Sequence, residues 1–208
     1  MTSTRIDQAA CESLSDCVAE IEKHTDAELV IVVRARSGSY AHADYLAGAL
    51  LAFCGLLFLL FSPIDFHQIW VAIDVALLFV LGAFLSAKTR GIRRLLTSNK
   101  FREQAARAGA AAMFYEAGIA NTKAELGVLV YLSLLERRLD LIADRGVLQV
   151  VPGLEWNECL FELHQAGREE NFHSLLKALR LLGALLAAYL PATGENPNEL
   201  PDTPHIEL

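Results

Sequence analysis

Few side chains in this sequence have the type and spacing to do chemistry, and the carboxylates come first. Glu125, Asp140 and Asp144, with Asp26 as a further candidate, are acids that could hold a divalent cation if the fold made them converge. Metal-assisted phosphoryl chemistry needs several such oxygens around one ion. Arg137, Arg138 and Arg145 flank the same acids, and with Asp144 they make a candidate interaction rim; the plainer reading is a solvated face of ion pairs. Asp74 stands alone in an apolar run, where an acid is a functional-site hypothesis. It lies only about a turn and a half from the end of that run, within reach of headgroup water. Cys11, Cys17, Cys54 and Cys159 show neither metal-ligand nor redox spacing, so free thiols and no metal site are expected. His164 and His173 are too far apart in sequence for a helical metal pair.

The stretch that must position these groups is 46–87. It holds two apolar runs, Leu46–Ser62 and Ile69–Ala87, separated by residues 63–68. Helices of these lengths span roughly 25 and 28 Å, close to the ~30 Å hydrocarbon core of a bilayer. A transmembrane helical hairpin is therefore expected, with Pro63 ending its first helix. Gly48, Ala52 and Gly55 on the first helix, and Gly82 with Ser86 on the second, make small-residue stripes that let helices approach closely.

The flanks set an expected orientation. From 88 to 107 the chain carries Lys88, Arg90, Arg93, Arg94, Lys100, Arg102 and Arg107 against one acid, Glu103, whereas the connecting loop has Asp65 and His67 and no Lys or Arg. Excess Lys and Arg marks cytoplasmic flanks. The expectation is a multi-pass protein of the inner (plasma) membrane, its loop outside and both termini cytoplasmic. The amino-terminal stretch is polar and acidic and does not read as a cleaved leader.

Hydrophobic residues make up 53% of the 208 residues and charged ones 21%, a balance that fits a membrane segment joined to a polar domain. The net charge of -7 hides a basic segment after the hairpin and a tail, 195–208, without Lys or Arg. No nucleic-acid recognition motif is present, so the basic segment is assigned to topology and anionic headgroups.

Outside the hairpin, a helix is expected from about Ile6 to His24, capped by Thr4 and Asp7, followed by a strand, Glu28–Arg34, whose unbroken apolar run suits burial on both faces. After the hairpin come a helix running to about Ala117, which Thr97, Ser98 or Asn99 could cap, and strands at Gly127–Leu132 and Arg138–Asp144. Helices at Trp156–Gln165 and Phe172–Leu190 follow, the last of them assigned to cover the sheet and not to cross the membrane. This order predicts an α/β sandwich with one mixed sheet, split in sequence: 1–45 and 88–190 form the domain, 46–87 the hairpin, and 191–208 an extended acidic tail.

The segment FYEAGIANTKAELGVLVYLSLLERRLDLIADRG resembles the central signature of the TPM domain. The likeness extends back to KHTDAELVIVVRARSGSY and forward to Trp156 and NELPD, nearly the whole chain. It is most similar to the bacterial branch in which a transmembrane hairpin interrupts the domain. The resemblance implies an α/β sandwich. Plant lumenal members are associated with photosystem II repair and acid phosphatase activity, animal members act as auxiliary proteins of a receptor, and many bacterial members accompany LemA-type membrane proteins or a second TPM-domain protein. Lumenal members carry Asp-Asn-Gly and Gly-Tyr-Gly-Leu-Glu where this chain has Glu125-Leu126-Gly127 and Ala143-Asp144-Arg145-Gly146, so the cluster that would handle Ca2+ or phosphate is thinned.

Two functions are therefore expected in competition. The first is a membrane-tethered interaction or accessory module with no catalysis of its own, presenting Arg137, Arg138, Asp144 and Arg145, with the lipid bilayer and a LemA-type or second TPM-domain protein as partners. The alternative is a metal-assisted, acid-phosphatase-like enzyme built on Glu125, Asp140 and Asp144.

Overall fold

A computed structural model describes residues 8–63, 67–122, 124–169, 171–194 and 204–207. The expected helix start at Ile6 with its Thr4 and Asp7 cap, the loop acid Asp65, and the tail between 195 and 203 lie outside the described residues. In chain order the elements are α1 (Gln8–Glu22), β1 (Glu28–Arg34), α2 (Ala41–Phe61), α3 (Gln68–Lys88), α4 (Arg90–Leu96), α5 (Asn99–Glu116), β2 (Gly127–Ser133), β3 (Arg138–Ala143), α6 (Arg145–Val150), α7 (Gly153–Glu169), α8 (Phe172–Tyr189) and β4 (His205–Glu207). The chain divides into two compact units, one made of 1–37 and 103–208 and the other of 38–102.

The first unit is α/β. Its sheet has the order β3-β2-β1-β4, with β1 parallel to β2 and β4, and β3 antiparallel to β2. The β-branched run of β1 is buried from Glu28 to Val33, as a strand covered on both faces must be. Leu29, Ile31 and Val33 join Val128, Val130 and Leu139 against α1, α7 and α8. Their neighbours Val30, Val32, Leu129 and Tyr131 meet Ala110, Met113 and Phe114 of α5 on the opposite side. Period-two alternation thus feeds two cores from one sheet, giving a helix, sheet, helix sandwich.

Three elements depart from the sequence reading. α4 and α6 are short helices of seven and six residues, below the length at which apolar periodicity can be recognised. The tail ends in a strand: Val32 to Arg34 pair with His205 to Glu207, and the Ala35 amide donates to the Glu207 carbonyl at 2.8 Å. An open strand edge presents unpaired amides and carbonyls, and the tail satisfies part of that edge.

The second unit holds the hairpin. α2 and α3 are 21 residues each, about 31 Å long by helical rise. They pack through their small residues: a Cβ on Gly48 would lie 2.6 Å from the Phe79 carbonyl oxygen, and one on Gly82 would lie 2.9 Å from that of Ala47. Their outer faces carry exposed Phe53, Phe58, Phe61, Leu77, Val80 and Phe84. Among the described residues three helices, α2, α3 and α8, are long and apolar enough to cross a membrane. Only 11% of the apolar window is buried in α2 and in α3, against 33% in α8. The difference arises because Leu179, Leu182 and Leu186 of α8 sit fully buried in the α/β core.

Candidate functional site

A largely buried polar cluster forms where β1 and β2 end. Ser37, three residues beyond β1, donates its amide to Glu136 Oε1 at 2.9 Å, and its hydroxyl donates to Ser133 Oγ at 2.7 Å. The same hydroxyl lies 2.8 Å from the Tyr131 hydroxyl, while Ser133 Oγ donates a short bond to Glu136 Oε2. Tyr131 and Ser133 are fully buried and Glu136 nearly so. Burial pushes the Tyr131 hydroxyl above its ordinary pKa, so it stays protonated as a donor. α5 comes close at this point, where a Cβ on Gly109 would lie 2.6 Å from the Tyr131 hydroxyl oxygen. Beside the cluster, Arg34 Nε pairs with Glu207 at 2.7 Å. Burial disfavours the guanidinium charge, but the carboxylate outweighs that and leaves Arg34 above its usual pKa. A carboxylate held by donors from two segments, the chain after β1 and the end of β2, closes the sheet, as satisfied buried networks do.

The residues named from sequence do not form one site. Arg137 and Arg138 stand at the β2–β3 turn, where Arg137 adopts a left-handed φ of 51°. Asp144 and Arg145 stand at the other end of β3, roughly 20 Å away at ~3.3 Å per residue. The expected single rim is therefore two separate places. Arg138 reaches Glu103 of α5 at 3.5 Å, and Asp144 caps α6 by accepting from the Arg145 amide at 2.7 Å. Arg145 itself is exposed in the first turn of α6.

The acid cluster is divided in the same way. Glu125, in a left-handed turn with φ 54°, shares the Asp144 end of the sheet, where its carbonyl accepts from the Gly146 amide at 3.0 Å. Asp140 faces Tyr131 at mid-strand, roughly 13 Å along β3 from Asp144. Its carboxylate lies 3.8 Å from His164 Nε2. Among the described residues no three His, Cys, Asp or Glu side chains are grouped to hold a metal ion. The acids nominated for Ca2+ or for phosphoryl chemistry do not fit that role, because strand geometry keeps Asp140 from the other two.

In the hairpin unit, Asp74 is half-buried in a groove of about 590 Å³ lined by Gly55, Phe58, Leu77 and Leu81, and no described residue hydrogen-bonds to it. Sequence reasoning missed Asp44. In the first turn of α2, Asp44 receives Arg93 Nε at 2.9 Å and Nη2 at 2.7 Å, a bidentate pair, and Ser86 Oγ at 2.8 Å. The bonds that Arg93 donates to Asp44 raise its pKa above the usual value. Arg93, counted in sequence as a free topological charge, is thus a clasp between α2, α3 and α4. The available signal was an acid in the first turn of a hairpin helix whose partner helix runs back into a basic cluster.

No family model matches the chain, and no curated protein matches it. Among solved structures, the chain is similar to the NMR structure of the BA42 protein from the psychrophilic bacterium Bizionia argentinensis, with a TM-score of 0.58 and 17% sequence identity. The likeness covers 98% of this chain and 99% of that one. At that identity it establishes a shared α/β fold.

Proposed function

We propose that this chain is an integral membrane protein whose hairpin, α2 and α3, tethers a TPM-like α/β domain that works as an interaction or accessory module. The observation that carries the reading is the division of the chain: a self-contained pair of long, outwardly apolar helices is inserted between the two sequence halves of an α/β unit. A membrane pair that interrupts a domain holds that domain at the bilayer through two covalent connections. The basic flank after α3 favours a cytoplasmic domain and an outward loop in the plasma membrane. The scattering of Glu125, Asp140 and Asp144 removes support from the phosphatase alternative.

LemA-type membrane proteins and a second TPM-domain protein are the partners this reading names, from the sequence resemblance. The test is purification of the tagged full-length chain from membranes in mild detergent, with quantitative mass spectrometry of what stays bound. A partner at near-stoichiometric ratio is expected. A chain that purifies alone and hydrolyses a phosphomonoester would replace the reading with the enzymatic one.

A further inference from the structure

Within the α/β unit, the antiparallel pair α7 and α8 presents an outer face that no described element of that unit covers. Antiparallel order follows from two contacts: Ser174 Oγ donates to Glu169 near the connection, and the Tyr189 hydroxyl donates to Glu155 at the far ends, both at 2.7 Å. The inward residues Leu163, Ala166, Leu179 and Leu182 are core. On the outward side Leu154 is 75% exposed, Phe161 59% and Leu181 45%. Together with Ala184 and Ala188 they line a groove of about 730 Å³. A second, smaller groove of about 120 Å³ shares Glu162 and Leu181 and continues toward Lys177.

Every charged residue lining the larger groove is acidic: Glu155, Glu158 and Glu162. All three lie on α7, at helical spacings that put them along one edge. This pattern decides among occupants. A lipid surface bearing anionic headgroups would be repelled by the carboxylates. A second copy meeting the groove with its own would bring six carboxylates together, doubling the three on each side, at a cost for like charges in an interface. The 17-residue α7 gives a groove floor of about 25 Å, long enough for four turns of a helix. We propose that this groove docks an amphipathic helix of a partner protein, with apolar side chains over Leu154, Phe161 and Leu181 and Lys or Arg opposite the three glutamates. Helix-in-groove recognition uses such anchors, with the charged edge setting orientation. The proposal rests on the interaction-module reading and assigns that module its surface.

The test uses the full-length protein in phosphatidylcholine nanodiscs and an 18-residue amphipathic Leu/Lys peptide carrying a photo-crosslinker, with a Leu/Glu peptide of the same pattern as control. The Leu/Lys peptide is expected to form one-to-one adducts mapping to 154–188, with apparent affinity at least tenfold weaker for Glu158→Gln/Glu162→Gln and for Leu154→Ser. Leu154 is so exposed that its replacement leaves the core intact, which circular dichroism checks. Adducts elsewhere, equal affinity for all variants, or stronger labelling by the Leu/Glu peptide would overturn the proposal. So would a shift from dimer to monomer on Leu154→Ser, which would make the face a self-contact. A co-purified partner that stays bound to the Leu154→Ser variant would remove this groove while leaving the interaction module standing.

Discussion

The Ser37 amide donates to the Glu136 carboxylate across ninety-nine residues of sequence, at 2.9 Å. Ser37 is the last residue of the first half of the α/β unit, and Glu136 sits in the turn between β2 and β3. This bond therefore fixes the point at which the chain leaves the domain. Glu136 also accepts from Ser133, so its loss strands one buried and one half-buried donor. Glu136→Ala is expected to destabilise the unit by about 3 kcal/mol, read as a lower urea midpoint for the purified protein. A midpoint equal to that of the parent would mean the bond does not close the domain.

Gly109 and Tyr131 make a linked pair. Gly109→Ala places a methyl group in the space of the Tyr131 hydroxyl, and overpacking of this kind costs about 1–3 kcal/mol. Tyr131→Phe vacates that space while removing one bond to Ser37. The double variant should be more stable than the sum of the single losses predicts, a coupling that a double-mutant cycle measures. Strict additivity would place the two residues in separate environments.

The clasp of Asp44 and Arg93 makes a prediction for the hairpin. Both side chains are only 14% exposed, so removing one partner leaves a poorly solvated charge. Arg93→Ala should lower the stability of the hairpin by about 3 kcal/mol, more than Arg90→Ala, whose side chain is exposed. Thermal unfolding in detergent gives the comparison. Equal effects of the two substitutions would reduce Arg93 to a surface charge.

Burial raises the Cys159 thiol from 9.0 to about 11, with Glu162 adding to the shift. A raised folded pKa means that the folded state holds this proton more tightly. The resulting stabilisation is complete below pH 9 and fades as pH climbs to about 11. Two pH units correspond to at most about 2.7 kcal/mol. Tyr131, also raised by burial, adds a loss of the same sign above pH 10. Stability measured from pH 8 to pH 11.5 should fall less steeply in Cys159→Ala between pH 9 and 11. Superimposable curves would show that the thiol has the same pKa folded and unfolded, so that burial does not raise it.

What the sequence made legible follows from range. The run ELVIVVR and the alternation of Arg138–Ala143 are local patterns, and both strands lie where those patterns place them. The long apolar runs likewise mark α2 and α3, although α2 begins at Ala41 because Ala41, His42, Ala43 and Asp44 extend the helix beyond the apolar stretch. Ser37, Tyr131, Ser133 and Glu136 carry no local signal. Their partnership is created by the parallel register of β1 and β2, which sets Arg34 opposite Ser133. The pairing of β4 is equally invisible, since three residues, His205 to Glu207, carry too little pattern to mark a strand. The error over the interaction rim was avoidable. Arg138 and Asp144 are six positions apart, and in a strand that spacing means opposite ends, where a helix would bring such residues closer.

The membrane-tether account is tested most directly by paired reporters, alkaline phosphatase and green fluorescent protein, fused at Asp65 and after Leu208 of the full chain in a bacterial host. The account predicts phosphatase activity without fluorescence at Asp65, and fluorescence without phosphatase activity at the carboxyl terminus. Fluorescence at both positions would contradict it, because the loop would then lie on the same side as the domain and α2 and α3 would not cross the bilayer.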